Sequence, residues 1–269
     1  MLGSSAASFG RLSRQLDEAI DGGADGAAAG DSLFKACHLL EEQAPLRRAL
    51  TDPTRPAEAK ARLAQEVFGP HLAGPATEVL ATAAGLRWAS SRDLLDALEQ
   101  LAVAAVVKGA DRDGNGERLE NELFTVGRAV ADNVELRTAL FDPGRPAADK
   151  QALVRILLEG KALPGTVRLA QEALSDRHSR VRRALREFAK IAADARNRTV
   201  AFVKVAAPLE DEERTRLADA LTRQYGRAVH VNVEVDPTVI GGVSVEIGDD
   251  VIDGTIASRL DEATRRLAG

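Results

Sequence analysis

The chain has 269 residues, of which 45% are hydrophobic but only 3% aromatic, and its net charge at pH 7 is −5. This length allows one large domain or two to three small ones, and the negative charge excludes a general binder of polyanions. The single cysteine, Cys37, excludes an internal disulfide bond. Because no apolar run reaches the roughly 18 residues that span a bilayer and no signal-peptide pattern begins the chain, the sequence predicts a soluble cytoplasmic protein.

The first 198 residues show the apolar period of α-helices almost throughout. Five stretches place apolar side chains at spacings of three and four residues, which brings them onto one face of a helix. Short connections rich in Gly, Pro and Asp separate these stretches, as in a helical bundle. The five predicted core stripes are Leu33, Ala36, Cys37 and Leu40; Ala57, Ala61, Ala64 and Phe68; Leu94, Leu98, Leu101, Ala102 and Ala105; Leu119, Leu123, Val126 and Val130; and Val181, Leu185, Phe188 and Ala192.

Polar residues next to these stripes predict where some of the helices start and stop. Asp31 or Ser32 is predicted to cap the first helix, because short oxygen-bearing side chains bond the free N–H groups of a first turn. Ser90 and Asp93 have the spacing of a capping box before the third helix. A Gly-Pro pair at residues 69–70 is predicted to end the second helix.

The apolar period changes near Thr199. From there, short runs rich in valine alternate apolar and polar side chains, which is typical of strands with one buried face. An acidic turn before residue 214 opens an intervening helix that Gly226 ends, and a last helix begins near Ile256. The C-terminal part is therefore predicted to be a small α+β domain. Its predicted strands are residues 199–205, 229–235 and 243–247 and the segment around Val251-Ile252.

The helical part contains an internal repeat. Residues 46–60 read LRRALTDPTRPAEAK and residues 136–150 read LRTALFDPGRPAADK, so that ten of 15 positions are identical at an offset of 90 residues. The pair Leu33-Phe34 recurs at the same offset. Two copies are too few for a solenoid, and we expect two packed bundles. The copies are predicted near residues 25–110 and 118–196.

One segment between the two copies matches the pattern of a calcium-binding loop, in which oxygen ligands surround the ion and a glycine allows a sharp turn. Three features disfavour calcium. Position eight carries Arg118 instead of an aliphatic side chain, no second loop is present to pair with this one, and a polar linker is expected between two repeats. We interpret the segment as a linker and expect no metal site and no cofactor. The residues that match the pattern are Asp111, Asp113, Asn115, Gly116 and Glu122.

No catalytic motif is present, and this absence disfavours an enzyme. The four histidines lack metal-ligand spacing, and there is no phosphate-binding loop or nucleophile elbow. A basic stretch before residue 187 is either a solvated helix face or a site for an acidic protein partner. Nucleic acid is disfavoured, because the stretch lacks interleaved aromatic residues and the chain is acidic. The arginines of this stretch are Arg177, Arg180, Arg182, Arg183 and Arg186.

The segment from Val235 to Leu260 reads VDPTVIGGVSVEIGDDVIDGTIASRL. It resembles the C-terminal signature of the ATP synthase delta subunit family, whose mitochondrial members are called oligomycin-sensitivity-conferring proteins. Glycines and turns of this kind support a fold and carry no chemistry. The matching residues, to which the resemblance gives a structural role, are Asp236, Pro237, Ile240, Gly241, Gly242, Gly248, Asp249, Asp253, Gly254 and Arg259.

The resemblance and the repeat together give the predicted architecture. The fold class is mainly α, with two N-terminal helical bundles that arose by internal duplication and a small C-terminal α+β domain. The resemblance implies a single bundle in ordinary members of the family. By comparison, this chain has an extra helical unit. The predicted domains are residues 1–113 for copy one, residues 114–197 for copy two and residues 198–269 for a stalk-binding α+β domain.

The resemblance implies a non-catalytic stator, or peripheral-stalk, subunit of an F-type ATP synthase, associated with its CF(1) head and serving ATP synthesis and hydrogen ion transport. In the family, the helical bundle receives the N-terminal helix of an alpha subunit, and the C-terminal domain contacts the b-type stalk. This implies a peripheral protein on the cytoplasmic face of the cell membrane, without a transmembrane segment or a nucleic-acid partner. The alternative from the residues alone is a soluble helical adaptor with a calcium loop at Asp111–Glu122.

Overall fold

The computed structural model describes residues 3–175, 181–195, 199–226, 229–236, 239, 241–247 and 250–253. These residues confirm a mainly α chain with an α+β part at its C-terminal end. The helices are α1 (Ser4–Asp21), α2 (Gly26–Glu42), α3 (Ala44–Thr51), α4 (Ala57–Phe68), α5 (Gly74–Gly85), α6 (Ser91–Arg112), α7 (Gly116–Asp132), α8 (Val134–Phe141), α9 (Ala147–Leu158), α10 (Pro164–Glu172), α11 (Val181–Ala195) and α12 (Asp211–Tyr225). The strands are β1 (Thr199–Val205), β2 (Val229–Val235), β3 (Val243–Ile247) and β4 (Asp250–Asp253).

The chain divides into two compact units. The first consists of residues 1–119 and 159–169, and the second consists of residues 120–158 and 170–269. None of the described helices is long and apolar enough to cross a membrane. The three domains that the sequence predicts, with boundaries after residues 113 and 197, stay a prediction.

The helices repeat at the same 90-residue offset as the sequence. Adding 90 to the bounds of α2, α3 and α4 gives the bounds of α7, α8 and α9 at both ends, and the first residues of α5 and α6 map onto the first residues of α10 and α11. Adding 90 to the bounds of α1 gives residues 94–111, which lie within α6. By this offset, α6 is both the last helix of the first repeat (α1–α6) and the first helix of the second repeat (α6–α11).

Helix α6 is buried on nearly all sides, which agrees with this double position. Within the first unit it packs against α1 and α2. The start of α10 also lies close to it, because a Cβ added to Gly165 would be 3.0 Å from the side chain of Val106. A helix that is apolar all round is expected in the interior of a protein. Its buried side chains are Leu94, Leu95, Ala97, Leu98, Leu101, Ala102, Val103, Ala105, Val106 and Val107.

Polar contacts fix α1 on α6. The ammonium group of Lys108 pairs with Asp17 at 2.8 Å and with Asp21 at 3.3 Å. Partial burial opposes the charge of Lys108, but these two carboxylates outweigh that effect and raise the pKa of Lys108. One turn further along α6, Arg112 donates to the backbone carbonyl of Ile20 at 3.1 Å and so satisfies the end of α1.

The repeated DPxRP sequence forms the turn between two helices in both copies. The Asp52 carboxylate accepts bonds from the backbone N–H (2.9 Å) and the hydroxyl (2.7 Å) of Thr54, and these bonds lower the pKa of Asp52. In the second copy, Asp142 accepts from the backbone N–H of Gly144 at 2.9 Å. The sequence identity of this segment therefore reflects a shared turn between consecutive helices.

The C-terminal sheet has the strand order β2-β1-β3-β4. Strands β1 and β2 are parallel and connected through α12, whereas β3 pairs antiparallel with both β1 and β4. Alternate residues of β1 (Ala201, Val203 and Val205) are buried on one face of the sheet, and Leu221 of α12 belongs to the same core. Gly226 ends α12 in a left-handed conformation (φ 70°), as predicted. Strand β1 begins at Thr199, where the apolar period of the sequence changes.

Two predictions about the first repeat are wrong. Helix α2 begins at Gly26, and the Asp25 carboxylate caps it by accepting from the N–H groups of Ala27 (2.9 Å) and Ala28 (3.1 Å), so that Asp31 and Ser32 lie inside the helix. The early turns of α2 consist of Gly and Ala, which show no apolar period. In α4, only Ala64 and Phe68 of the predicted core stripe are buried, whereas Ala57 is exposed and Ala61 half-buried.

Candidate functional site: a groove in the first helical repeat

A groove of about 510 Å³ lies between α1, α4 and α5 in the first unit. Helix α5 provides its floor with residues spaced at i, i+3, i+4 and i+7, which form one continuous stripe along that helix, and Leu86 follows directly after it. Helices α1 and α4 provide the two walls. We call this surface the first-repeat groove, and its lining residues are Arg11, Gln15, Ala57, Glu58, Ala61, Gln65, Glu78, Ala81, Thr82, Gly85 and Leu86.

Small residues form the bottom of the first-repeat groove. Helices α4 and α5 run antiparallel, because Ala57 at the start of α4 lies beside Gly85 at the end of α5, where an added Cβ would be 3.8 Å from that of Ala57. Ala61 and Ala81 also line the groove. Because the distance between two packed helices depends on the side chains at their contact, a floor of this kind allows another helix to approach closely.

Three exposed charged side chains line the first-repeat groove. Glu58 of α4 and Glu78 of α5 are exposed, and within the described part of the chain neither carboxylate has a hydrogen bond or an ion pair. Arg11 of α1 lies on the opposite wall and is also exposed. The lining therefore carries negative charge on α4 and α5 and positive charge on α1.

The second repeat does not contain the same groove residues. At an offset of 90, ten of the 11 lining positions carry a different residue, and only Ala57 is matched, by Ala147. Glu58 corresponds to Ala148 and Glu78 to Arg168. The turn sequence between helices keeps ten of 15 residues at this offset, so the two copies share their fold but not this surface.

The side chains at the equivalent positions of the second repeat have other contacts. Arg11 corresponds to Leu101, which is fully buried in α6. Ala81 corresponds to Gln171, whose side-chain amide donates to the backbone carbonyl of Gln151 at 3.3 Å. Arg168 donates to Asp31 and lies over a phenylalanine ring. These positions therefore serve the internal packing of the chain.

An arginine connects the helical part of the second unit with the sheet. The Arg186 guanidinium lies over the Phe202 ring of β1, 4.8 Å from its centre, and is 3.9 Å from Glu234 and 3.8 Å from Glu246. The Phe202 ring also contacts Phe124 of α7, with 6.4 Å between ring centres. Arg186 belongs to the basic stretch of the sequence, so at this position acidic groups of the same chain face the arginine.

The first unit contains a related cluster around the equivalent phenylalanine. Phe34 of α2 lies 90 residues before Phe124 and is buried, and the Arg168 guanidinium lies 4.6 Å from its ring centre. A cation above an aromatic face is attracted by the ring electrons, more strongly where water is excluded. The Leu-Phe pair of the repeat thus marks an arginine–aromatic cluster in both units. Of the other arginines in the basic stretch, Arg183 is exposed, and Arg177 and Arg180 lie outside the described residues.

The segment that matches a calcium loop is mostly helical. Helix α6 continues to Arg112 and α7 begins at Gly116, so that residues 113–115 alone connect the two helices. Position seven of such a loop, whose backbone carbonyl would bind the ion, is Glu117 in the first turn of α7. The Asn115 amide donates to the carbonyl of Asp113 at 3.2 Å. Among the described residues, no group of His, Cys, Asp or Glu side chains is arranged to hold a metal ion.

We expect no specific calcium binding by this segment. Asp111 and Glu122, the first and last residues that would bind the ion, lie in α6 and α7. Unfolding those helical turns would cost more than weak coordination returns. Isothermal titration of the purified protein should show no calcium binding at sub-millimolar concentration, with the Glu122→Gln variant as the matched control. Binding in that range that is lost in Glu122→Gln would contradict this expectation and favour the calcium-dependent adaptor.

The described part of the C-terminal signature occupies turns and strand ends. The backbone N–H of Asp236 donates to Val205 at 2.9 Å, and its carbonyl accepts from Val239 at 3.0 Å. Gly242 has a positive φ of 84°, which favours glycine before β3, and Asp253 pairs with Ser244 across β3 and β4. Gly241 directly precedes Gly242. Pro237, Ile240, Gly248, Asp249, Gly254 and Arg259 lie outside the described residues, and the structural role of the signature stays a prediction.

Residues 100–267 of this chain match the family model described as the ATP synthase delta (OSCP) subunit. This region begins within α6, so the first-repeat groove lies outside it. Among solved structures, a chain of the Toxoplasma gondii mitochondrial ATP synthase hexamer is similar with a TM-score of 0.37 and 18% identity, covering 62% of this chain and 95% of that one.

Relatives match over nearly the whole length, the first repeat included. A Nocardioides protein named ATP synthase subunit delta is 49% identical over 267 residues, which cover 99% of this chain and 97% of the relative. The protein of the same name from Kineococcus radiotolerans is 46% identical, with coverage of 99% and 98%. That of Streptomyces coelicolor is 41% identical, with coverage of 100% and 98%.

Proposed function

Because this chain belongs to the ATP synthase delta (OSCP) subunit family, we propose that it holds the catalytic head of the enzyme to the b-type peripheral stalk. The chain is a non-catalytic stator subunit of a proton-transporting F-type ATP synthase. A stator is needed because the head must not rotate with the central shaft; otherwise proton flow would turn the head instead of driving synthesis. Holding a head requires affinity and shape, which agrees with the absence of catalytic motifs in the sequence.

The contact with the head is an amphipathic helix from the N-terminus of an alpha subunit, which docks on the helical part of the chain. Helix-in-groove contacts bury the apolar face of one helix between two or more others. The observation that supports this contact is a groove with a continuous helical stripe as its floor, bounded by α1 and α4. Such a surface suits a helix better than an extended peptide or a small molecule.

The contact with the b-type stalk belongs to the C-terminal α+β domain. Support comes from apolar side chains that the described sheet leaves at its surface: Val251 on the edge strand β4 is 67% exposed, and Val235 at the end of β2 is 41% exposed. Exposed apolar residues at a sheet edge are typical of surfaces that bind another chain. In this arrangement the chain is a peripheral protein on the cytoplasmic face of the cell membrane.

Separate binding measurements test this bridging role. The purified chain should bind the isolated catalytic head and a soluble b-type stalk segment independently, and should form a ternary complex in gel filtration. A head whose alpha subunits lack their N-terminal helix is the matched control and should bind much more weakly. A chain that binds neither partner, or that binds the truncated head with unchanged affinity, would contradict the proposed contacts.

A further inference from the structure

We propose that Arg186 is a positioning residue that holds the sheet against α7 and α11, as a latch whose closed state depends on charge. The Arg186 latch consists of Phe124, Arg186, Phe202, Glu234 and Glu246, all of which lie in the second unit. The inference rests on the proposed function in one respect, since a chain that connects the head to the stalk transmits force through this joint. Arg186 then sets how firmly the two contacts are connected.

The sheet has one apolar face and one polar face. Alternate residues of β1, β2 and β3 belong to the hydrophobic core that includes Leu221 of α12. Because successive side chains of a strand point to opposite faces, the residues between them lie on the other face. On these three strands, the described side chains of that face are Phe202, Lys204, Asn232, Glu234, Ser244 and Glu246. The three strands therefore present mostly polar side chains around Phe202 on this face.

Phe202 is the centre of the contact with the helices. Its ring contacts Phe124 of α7, and the Arg186 guanidinium of α11 lies 4.8 Å from its centre. Glu246 is the neighbour of Phe202 on β3, and Arg186 is 3.8 Å from this carboxylate and 3.9 Å from that of Glu234. One arginine side chain thus contacts β1, β2 and β3 together.

The charges on the polar face of the sheet call for a cation from the helices. The described side chains of this face on β1, β2 and β3 include two carboxylates, Glu234 and Glu246, and one ammonium group, Lys204. The side chain of Arg186 is 31% exposed, and those of Glu234 and Glu246 are 24% and 49% exposed. Ion pairs that water and salt reach contribute modestly and are weakened by screening. The strength of the Arg186 latch therefore depends on ionic strength.

Asn232 opposes the closed latch. It is the neighbour of Phe202 on β2 and is 2% exposed, and within the described part of the chain its side-chain Nδ2 has no hydrogen-bond acceptor. A buried donor without an acceptor has lost its bonds to water, which costs free energy. Separation of the sheet from the helices returns this group to water, so Asn232 favours opening where Arg186 favours closing. Polar contacts between parts of one chain allow relative motion of those parts.

The test measures the distance between two spin labels, one on each side of the joint, by pulsed electron paramagnetic resonance. The labels are attached after Ala129→Cys on α7 and Asp219→Cys on α12, both at exposed positions, in a full-length chain that also carries Cys37→Ala. With Arg186 in place, the chain should give one narrow distance distribution at low salt and an additional broad one at high salt. Arg186→Glu should give the broad distribution already at low salt, with about tenfold more open chain, because two attractions become repulsions.

Three further variants make the distance measurement specific. Arg186→Glu combined with Glu246→Arg interchanges the two charges and should restore the narrow distribution at low salt. Asn232→Val removes the donor without an acceptor and should keep the distribution narrow at high salt. Arg183→Glu makes the same change of charge at an exposed position of α11 and should behave like the chain with Arg186 in place.

The latch also predicts an effect on coupling. Arg186→Glu should bind the isolated head and the soluble b-type stalk segment separately with wild-type affinity, but should lower the rate of proton-driven ATP synthesis in membranes. The exchange variant with Glu246→Arg should restore that rate. A residue needed only for folding would lower both binding affinities as well and would not be rescued by the exchange.

Several outcomes would overturn the inference. They are a distance distribution in Arg186→Glu that equals that of the parent chain, a broad distribution that the exchange does not narrow, and wild-type synthesis in Arg186→Glu. The salt response of the chain with Arg186 in place decides the matter if Arg186→Glu does not fold, and equal distributions at low and high salt would overturn the latch. A wild-type chain that binds neither the head nor the stalk segment would contradict the proposed function and leave the distance measurement valid.

Discussion

Deleting residues 199–269 should abolish proton-driven ATP synthesis while ATP hydrolysis by the head continues close to its wild-type rate. The deletion removes the four strands and α12, and with them the proposed contact with the b-type stalk. Torque applied through the shaft would then turn a head that is no longer held. Hydrolysis persists because the catalytic residues lie on other subunits of the complex.

The measurement is a pair of assays on membranes that carry the truncated chain: ATP hydrolysis, and ATP synthesis driven by an imposed proton gradient. Loss of synthesis with retained hydrolysis supports the stator role. Synthesis at the wild-type rate would show that the C-terminal domain is not the stalk connection. As a control, the heads on these membranes should be tested for bound truncated chain. If the truncated chain no longer binds the head, synthesis would be lost because the head contact is missing, and the assay would not report on the stalk contact.

A point variant tests the same contact without removing the residues that pack against the helical part. The deletion also removes Phe202, Glu234 and Glu246 from around Arg186 and would expose the face of Phe124. Val203→Asp keeps every other residue of the chain. It places a carboxylate at a fully buried position of β1, which costs several kcal/mol and disrupts the sheet. Ala59→Asp introduces the same side chain at an exposed position of α4 and should leave synthesis unchanged.

The C-terminal strands could be predicted from the sequence because their pattern has one interpretation. Valines alternate with polar residues in β2 and β3, and a period of two residues is incompatible with a helix. The family signature next to β2 and β3 identified the same region. The sequence did not reveal the pairing of Arg186 with Glu234 and Glu246. These carboxylates lie 48 and 60 positions after the arginine, and no local pattern connects a basic helix to carboxylates on a sheet.

The first-repeat groove could not be predicted from the sequence, because the alanines that line it on α4 have the spacing of a core stripe. Ala57 and Ala61 have the spacing of a core stripe with Ala64 and Phe68, and the period alone assigns all four to the interior. Alanine is nearly as compatible with a shallow groove as with a core, so its periodicity does not establish burial. The 90-residue repeat offered one usable signal: positions 58, 61 and 78 change in character between the copies while the turn sequence stays the same.

Glycine substitutions in the first repeat should change stability in opposite directions. Gly30 lies where α2 crosses α6, and a Cβ at this position would be 2.6 Å from Val106 and 2.8 Å from the backbone carbonyl of Ala102. Gly10 is also helical, but no atom lies within 4 Å of its added Cβ. Gly10→Ala should therefore raise the free energy of unfolding by roughly 0.5–1 kcal/mol through helix propensity and reduced chain entropy.

Gly30→Ala should lower the free energy of unfolding, although it gains the same helix propensity. The carbonyl of Ala102 belongs to the backbone of α6 and cannot rotate away, so the two helices must separate, and overpacking of this kind costs about 1–3 kcal/mol. Gly30→Leu should cost more and prevent stable packing of α2 on α6. Urea unfolding is best followed through Trp88, the only tryptophan, which lies in the first unit and donates to the carbonyl of Ala83 at 2.9 Å. A Gly30→Ala chain that unfolds at the same urea concentration as Gly10→Ala would show that α2 and α6 are not in close backbone contact at this crossing.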